Sequence, residues 1–259
     1  MCNKINHKNN GLIRTYGFPL GHSFSARFFT EKFSKEGLDA QYRNFEIENA
    51  QEVLRIVKKH ENLRGLNVTI PHKQAVIPLL DAMSDDAMEI GAVNVIRIIK
   101  ESGKTFLEGH NTDVIGFTES IRPLLLPHHR KALVLGTGGA SKAVTFGLHK
   151  LGIDTLYVSR SASAGRITYA DITPKVMQEY TVIANCSPVG MHPHTDEAPA
   201  IPYNLLNEKH LLYDLVYNPL ETQFLKRGKA QGAITKNGLD ILHLQALAAW
   251  HIWNQECTK

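Results

Sequence analysis

The chain has few cysteines and no long apolar run, and both absences exclude classes of protein. Its 259 residues include only three cysteines, which lie far apart and form no Cys-x-x-Cys pair: Cys2, Cys186 and Cys257. This pattern fits neither a disulfide framework nor a cysteine-rich zinc module, so we expect a reducing compartment. No stretch approaches membrane-spanning length, and residues 1–10 lack the apolar centre of a secretory signal. We therefore expect a cytoplasmic protein with no membrane partner.

The chain also lacks charge clusters and a recognisable set of metal ligands. Charged residues make up 21% of the sequence with a net charge of +4, and no run of one sign suggests a nucleic-acid partner. His192, His194 and Asp196 share one proline-containing segment, but no fourth ligand accompanies them at a metal-binding spacing. The composition is ordinary for a soluble enzyme, and we expect neither a metal nor a nucleic-acid partner. The oligomeric state, a monomer or a homodimer, stays open.

What the chain does contain is a regular alternation of short apolar strands and amphipathic helices. At this length, 43% hydrophobic residues can build two α/β domains or one large domain. Residues 93–99 and 105–107 flank a glycine turn and predict a hairpin, so the first sheet should have mixed directions. Between residues 161 and 179, only residues 174–179 have a helical pattern, and we expect an irregular connection there.

A glycine-rich turn at residues 133–141 (LVLGTGGAS) follows an apolar strand and precedes a helix. This order lets backbone N–H groups approach a pyrophosphate, whose charge the helix N-terminus favours. A dinucleotide is therefore the predicted ligand. The third small position is Ser141 instead of the usual Gly or Ala, and a tight turn without a ligand is the alternative.

The next strand supports NADP over NAD as that dinucleotide. Residues 155–158 form a β-branched and aromatic run that ends in Ser159 and Arg160, with no acidic residue. An acid about 20 residues past the turn would hold a ribose 2′-hydroxyl, whereas an arginine suits a 2′-phosphate. Ser161 and Arg166 could assist Arg160, or Arg160 could be a solvated loop cation.

Polar residues are concentrated at four places in the first half, each at the end of a predicted strand. These segments are residues 21–25 (GHSFS), 67–73 (NVTIPHK), 91–94 (GAVN) and 111–113 (NTD). In open α/β sheets the ligand crevice lies outside the carboxyl ends of the strands, so the four segments could converge on one pocket. Lys73 and Asp113 are its candidate chemical groups, although a capping aspartate and an exposed lysine would also fit the pattern.

Together these motifs resemble the shikimate dehydrogenase family over nearly the whole chain. The resemblance extends to residues 185–191 (NCSPVGM), 213–217 (YDLVY) and 237–240 (NGLD), and to Gln245. It implies NADPH-dependent, reversible reduction of 3-dehydroshikimate to shikimate, in the route to chorismate and the aromatic amino acids. It also implies an α/β fold with two domains, an N-terminal substrate domain with a mostly parallel sheet and a Rossmann-type NADP-binding domain, with a cleft between them. The expected boundaries are residues 1–112, 113–237 and, for a C-terminal helix that packs back on the first domain, 238–259.

The resemblance also implies a role for each matching residue. Lys73 and Asp113 would act at the reacting oxygen. The implied substrate contacts are Ser23 and Ser25 for the carboxylate, and Thr69, Lys73, Asn94, Asp113, Tyr217 and Gln245 around the ring. The implied cofactor contacts are Gly136, Thr137, Gly138, Gly139, Ala140, Ser141, Ser159, Arg160, Ser161, Asn185, Ser187, Leu215 and Gly238.

Two other functions remain open at this point. An NAD-dependent quinate/shikimate dehydrogenase would share almost every motif, although Ser25 favours shikimate because quinate-accepting relatives often carry threonine there. A non-catalytic NADP-binding sensor could use the same scaffold, but the presence of both Lys73 and Asp113 argues against it.

Overall fold

The computed structural model describes residues 11–17 and 24–255, and the chain divides into two compact units. Unit 1 comprises Met1–Thr112 and Gln245–Lys259, and unit 2 comprises Asp113–Leu244. No helix in the described ranges is long and apolar enough to span a membrane.

Unit 1 is built on a six-stranded sheet in the order β2-β1-β3-β5-β6-β4. Its elements are β1 (Gly11–Gly17), α1 (Phe24–Glu36), β2 (Ala40–Glu46), α2 (Glu52–Lys59), β3 (Leu63–Val68), α3 (His72–Ala75), β4 (Ala82–Met83), α4 (Asp85–Ile90), β5 (Val95–Glu101) and β6 (Lys104–His110). β1 runs parallel to β2 and β3, and β4 to β6, whereas β5 is antiparallel to both of its neighbours. The sheet is therefore mixed, with parallel pairings in the majority.

The predicted hairpin is present as β5 and β6. Its turn residues Ser102 and Gly103 have φ values of 52° and 76°, and two positive φ values are what a tight type I′ turn requires. The hairpin matters for the site because it brings the beginning of β5 and the end of β6 to the same edge of the sheet.

The last helix, α9 (Leu239–Asn254), contributes its C-terminal part to the core of unit 1. Trp253 lies against the backbone of Gly65, where an added Cβ would be 2.2 Å from the indole ring. The indole Nε1–H donates to Ile96 O over 3.0 Å. Phe29, Tyr42 and Trp253 form an aromatic cluster that fixes this part of α9 on unit 1.

Unit 2 contains a second six-stranded sheet, in which every pairing is parallel. Its elements are α5 (Asp113–Ile121), β7 (Lys131–Leu135), α6 (Gly139–Lys150), β8 (Asp154–Ser159), β9 (Arg166–Thr168), α7 (Pro174–Glu179), β10 (Val182–Asn185), β11 (Leu211–Asp214), α8 (Gln223–Ala230) and β12 (Ile234–Lys236). The order β12-β11-β10-β7-β8-β9 is that of a doubly wound Rossmann sheet, with its switch point between β7 and β10.

The connection from β8 to α7 is irregular, as the sequence indicates. It contains the short edge strand β9, which the sequence pattern does not reveal, followed by a 3-10 turn at Tyr169–Asp171. β9 exists because it pairs with β8 over three residues, so its cause is tertiary pairing and not local periodicity.

Candidate active site

The polar segments of unit 1 meet at one edge of its sheet. β3 ends there, β5 begins there and β6 ends there, because β5 is antiparallel to both neighbours. Backbone hydrogen bonds join the three segments, with Val68 N–H donating to Asn94 O (2.8 Å) and Asn94 N–H donating to His110 O (3.0 Å). The convergence of residues 67–73, 91–94 and 111–112 is therefore built into the strand order.

Two buried hydrogen bonds join the side chain of Asn94 to Thr112. Thr112 N–H donates to Asn94 Oδ1 (2.7 Å), and Asn94 Nδ2–H donates to Thr112 Oγ1 (3.0 Å). Both side chains are buried. Asp113 is the next residue and begins α5, so the Asn94 carboxamide fixes the backbone directly before the candidate carboxylate.

The segment that carries Lys73 is anchored by its neighbours. His72 is buried and its Nε2 lies 2.7 Å from Ile47 O, and because a carbonyl can only accept, Nε2 carries the proton. Val93 N–H donates to Lys73 O (2.8 Å). Two independent contacts therefore fix the backbone on either side of the half-buried Lys73 side chain.

Asn67 is a candidate residue to which the sequence interpretation gave no role. Its side chain is 6% exposed, and its Nδ2–H donates to Tyr42 Oη over 2.6 Å. Its Oδ1 is buried without a protein hydrogen-bond partner in the described ranges. An unsatisfied buried acceptor costs about 1–3 kcal/mol, so a ligand hydroxyl or a water molecule at this position would recover that energy. The only sequence signal is its place in the NVTIPHK motif.

The other predicted substrate contacts lie on separate elements and differ in how far they are buried. Ser25 lies in the first turn of α1, Thr69 is half-buried just after β3, and Gln245 is buried on α9. Tyr217 follows β11 and is exposed. The prediction for Ser23 lies outside the described residues.

The glycine turn of unit 2 has the geometry that a phosphate cradle needs. Gly136 has φ of 101°, and an added Cβ would lie 3.4 Å from Ser187 N. Nothing lies within 4 Å of a Cβ built on Gly138 or Gly139, so the first turn of α6 is open to a ligand. Ser141 is fully buried, and its Oγ donates to Gly138 O over 2.6 Å, which explains a serine at the third small position.

A cavity of about 830 Å³ adjoins this turn within unit 2. Its lining includes Gly136, Thr137, Gly138, Ser159, Arg160 and Ser187. Tyr169 and Arg227 also line the cavity, and sequence reasoning missed both because they lie on elements distant in the chain. Ser161 and Arg166 are not among its lining residues. Burial raises the pKa of the Tyr169 hydroxyl, while the positive charge of Arg160 acts in the opposite direction.

Three further predicted cofactor residues, Asn185, Leu215 and Gly238, are not among the residues that line this cavity. Asn185 is fully buried, and its Oδ1 accepts from Ser187 N–H (3.1 Å) and Ser187 Oγ–H (2.6 Å). Leu215 O would lie 2.2 Å from a Cβ on Gly238, so only glycine permits this backbone approach. Cys186 also lines the cavity, and burial raises its thiol pKa far above the ordinary value, so the thiol is neutral.

Comparisons with known proteins agree with this architecture. A family model described as the shikimate dehydrogenase substrate binding domain matches residues 15–96. The shikimate dehydrogenase (NADP(+)) of Methanosphaera stadtmanae is 36% identical, over 92% of this chain and 89% of that protein. The structure of Thermus thermophilus shikimate 5-dehydrogenase in complex with NADP(H) and shikimate is 30% identical, with a TM-score of 0.80 over 94% of this chain and 93% of that one.

A quinate dehydrogenase also has this fold. The structure of the Corynebacterium glutamicum enzyme in complex with NAD is 26% identical, with a TM-score of 0.84 over 95% of this chain and 94% of that one. Identity to named shikimate dehydrogenases is higher and extends over most of both chains. The chain therefore belongs to the shikimate dehydrogenase family.

Proposed function

We propose that this protein catalyses the reversible, NADPH-dependent reduction of 3-dehydroshikimate to shikimate in the biosynthesis of chorismate and the aromatic amino acids. The observation that carries the proposal is the edge of the unit 1 sheet, where the segments of Lys73 and Asn94 are hydrogen-bonded and Asn94 holds Thr112, directly before Asp113. The M. stadtmanae relative carries the same activity in its name. A cytoplasmic location and a monomeric or homodimeric state complete the proposal.

NADP fits the residues of unit 2. The open first turn of α6, the positive φ of Gly136 and the adjoining cavity leave room for a pyrophosphate at a helix N-terminus. Gly136, Thr137, Gly138, Ser159, Arg160 and Ser187 line the cavity and would hold NADP, and Arg160 would recognise the 2′-phosphate. Gly139, Ala140, Ser161, Leu215 and Gly238 are the further predicted contacts. Ser141 and Asn185 are fully buried and would act by fixing Gly138 and Ser187. When bound, the nicotinamide supplies the hydride for the ring ketone.

The chain's own groups do the rest of the chemistry. The Lys73 ammonium donates a hydrogen bond to the ketone oxygen, stabilises negative charge as it develops, and gives that oxygen a proton. Asp113 accepts a hydrogen bond from a neighbouring ring hydroxyl and orients the substrate, and in the reverse direction the same pair removes the proton. Ser23 and Ser25 bind the carboxylate, and Thr69, Asn94, Tyr217 and Gln245 hold the ring.

One panel of assays tests the proposal against its two rivals. The purified protein is given shikimate or quinate with NADP or NAD, and reduced nicotinamide is followed by its absorbance. We expect the highest kcat/KM for shikimate with NADP. A preference for quinate with NAD would establish the quinate dehydrogenase alternative, whereas cofactor binding without turnover would establish a sensor.

A further inference from the structure

A buried carboxylate in unit 2 has no role in the chemistry described above. Asp214 ends β11 and is fully buried, yet no cation pairs with it in the described ranges. Three hydrogen bonds from the protein reach its oxygens, and burial raises its pKa to about 6. A buried charge is costly, so its retention at this point calls for a specific geometric use.

We propose that Asp214 is a positioning residue for the cofactor, because its hydrogen bonds fix two of the backbone segments that form the NADP site. This inference rests on the proposed function, since it assigns Asp214 to the binding of NADP. The carboxylate has three hydrogen-bonded connections, through Asn185, Val216 and Thr222.

The first connection leads to Ser187, which lies beside the glycine turn. Asn185 Nδ2–H donates to Asp214 Oδ1 (3.0 Å), which fixes the orientation of the carboxamide. Asn185 Oδ1 is then aimed at Ser187 and accepts from its N–H and Oγ–H. Ser187 lines the cavity, and its backbone is the closest group to a Cβ on Gly136. The carboxylate therefore sets the distance between Ser187 and the turn.

The second connection leads to the segment that is predicted to face the nicotinamide. Val216 N–H donates to Asp214 Oδ1 (3.0 Å), and Val216 O accepts from Gly238 N–H (3.3 Å). Leu215 lies between Asp214 and Val216 in the chain, and its carbonyl oxygen makes the close approach to Gly238. Loss of the carboxylate would free both Leu215 and Gly238 from this constraint.

The third connection leads to a helix and not to a predicted cofactor contact. Thr222 Oγ1–H donates to Asp214 Oδ2 (2.5 Å), and Thr222 Oγ1 in turn caps α8 by accepting from Leu225 N–H (3.4 Å). The two oxygens of Asp214 thus have separate tasks, with Oδ1 serving the two cofactor segments and Oδ2 serving the helix cap. Substitution of Asp214 by asparagine can therefore test the proposal, because it keeps the Oδ1 acceptor and changes only the atom that faces Thr222.

The test compares Asp214→Ala with Asp214→Asn in direct titrations of NADPH binding. Asp214→Ala removes both acceptors, and we expect the Kd for NADPH to rise about tenfold, with kcat at saturation changed less than threefold. Asp214→Asn keeps Oδ1 for Asn185 and Val216, while the Thr222 hydroxyl can turn to accept from the new amide. We therefore expect Asp214→Asn to restore the Kd to within threefold of wild type.

A neighbouring substitution controls for lost stability. Tyr213 precedes Asp214 on β11, is fully buried, and its hydroxyl shares a 2.5 Å hydrogen bond with Ser120. Tyr213→Phe removes a buried hydrogen bond from the same strand, and that bond joins Ser120 instead of either cofactor segment. We expect Tyr213→Phe to lower the Tm and leave the Kd for NADPH within twofold.

A second variant covers the case in which Asp214→Ala does not fold. Asn185→Ala breaks only the first connection. Asn185 is fully buried and contacts two residues that line the cavity, Ser187 and, through Nδ2–H donating to Val189 O (3.4 Å), Val189, so a higher Kd for NADPH would act through these two. An unchanged Kd in Asp214→Ala, or in Asn185→Ala where the former does not fold, would overturn the inference. So would an equal rise in Tyr213→Phe, or no restoration by Asp214→Asn. Wild-type protein that binds no NADPH would instead refute the proposed function.

Discussion

The two units use different means to prepare their sites. In unit 2 the backbone of the glycine turn lines the cavity, and the first turn of α6 is open to a ligand. Two buried side chains, Ser141 and Asn185, hydrogen-bond to Gly138 and Ser187 and so fix that backbone. In unit 1 the candidate groups are side chains beside strand ends, with Lys73 on the short helix α3 after β3 and Asn94 directly before β5. We infer that cofactor binding depends mainly on backbone geometry in unit 2, whereas the chemistry depends on two single side chains, Lys73 of unit 1 and Asp113 at the start of unit 2.

The sharpest test of this contrast is the removal of the Lys73 ammonium. Loss of a positioned acid or base costs roughly 10²–10⁴ in rate, so Lys73→Ala should lower kcat by about that factor. The KM values for shikimate and NADP should shift little, because the charge acts mainly in the transition state. Steady-state kinetics measure this. Asp113→Asn should show a loss of similar size.

Lys104→Ala is the matched control for Lys73→Ala. Lys104 is an exposed lysine of unit 1 beside the β5–β6 turn. We expect kcat within twofold of wild type for this variant. A near-normal kcat for Lys73→Ala would remove Lys73 from the mechanism and the contrast with it.

The corresponding test in unit 2 is a backbone substitution at Gly136. Alanine at φ 101° is strained by about 1–3 kcal/mol, and its Cβ would lie in the turn that lines the cavity, in contact with Ser187 N at 3.4 Å. We expect Gly136→Ala to raise the Kd for NADPH about 10-fold to 100-fold, as measured by titration. Gly152→Ala is the control, since Gly152 has φ of 74° with nothing within 4 Å. It should lower the Tm and leave the Kd unchanged, and equal effects of the two variants on the Kd would contradict the prediction.

A smaller effect on cofactor affinity is expected from Arg160, the side chain that is proposed to select NADP over NAD. Arg160 is exposed and lines the cavity, and a hydrogen bond from a charged group contributes about 1.5–3 kcal/mol before solvent screening. Arg160→Gln should raise the KM for NADPH about tenfold and leave the KM for NADH unchanged. Arg166→Gln should change neither value, because Arg166 does not line the cavity. An equal loss with NADH would show that Arg160 does not read the 2′-phosphate.

The smallest expected effect is on the pH dependence of the stability of unit 2, and it concerns His129. His129 Nδ1 accepts from Leu126 N–H (2.9 Å) and its Nε2 lies 3.1 Å from Lys209 O, an arrangement that only the neutral ring satisfies. Burial lowers the pKa of His129 below its unfolded value of about 6.5. The folded state therefore binds fewer protons, and stability is complete above that value and is lost as the pH falls below it.

Urea denaturation at pH 7.5 and pH 5.5 measures this contribution. Asp214, whose pKa is raised, opposes this loss on acidification, so the comparison between variants measures the His129 contribution. The change in midpoint from pH 7.5 to pH 5.5 should be less favourable in the wild type than in His129→Gln, which has no ring to protonate. His251→Gln, at an exposed position, should behave like the wild type. An identical change of midpoint with pH in the wild type and in His129→Gln would contradict the prediction.

Local sequence patterns are sufficient for part of this architecture. The turn at Gly136, the hairpin around Gly103 and the polar segments that follow β3 and precede β5 are encoded by neighbouring residues, so they could be predicted. β9, Tyr169 and Arg227 could not, because their positions depend on pairing and packing with distant segments.

Asn185 shows most clearly why side-chain roles are harder to predict than elements. Its motif predicts a cofactor contact, but the carboxamide is buried and bonded to Asp214, 29 residues further along the chain. The partner that decides its orientation lies on another strand, and only the order of the parallel sheet brings the two together. The unsatisfied Oδ1 of Asn67 is likewise invisible without coordinates.

The central claim is that a hydride passes between a ring carbon of shikimate and the nicotinamide of NADP. The most direct test uses shikimate deuterated at the carbon that bears the reacting hydroxyl, with NADP and the wild-type protein. Mass spectrometry of the product should show one deuterium in each NADPH formed. NADPH without deuterium, or no NADPH at all, would contradict the account.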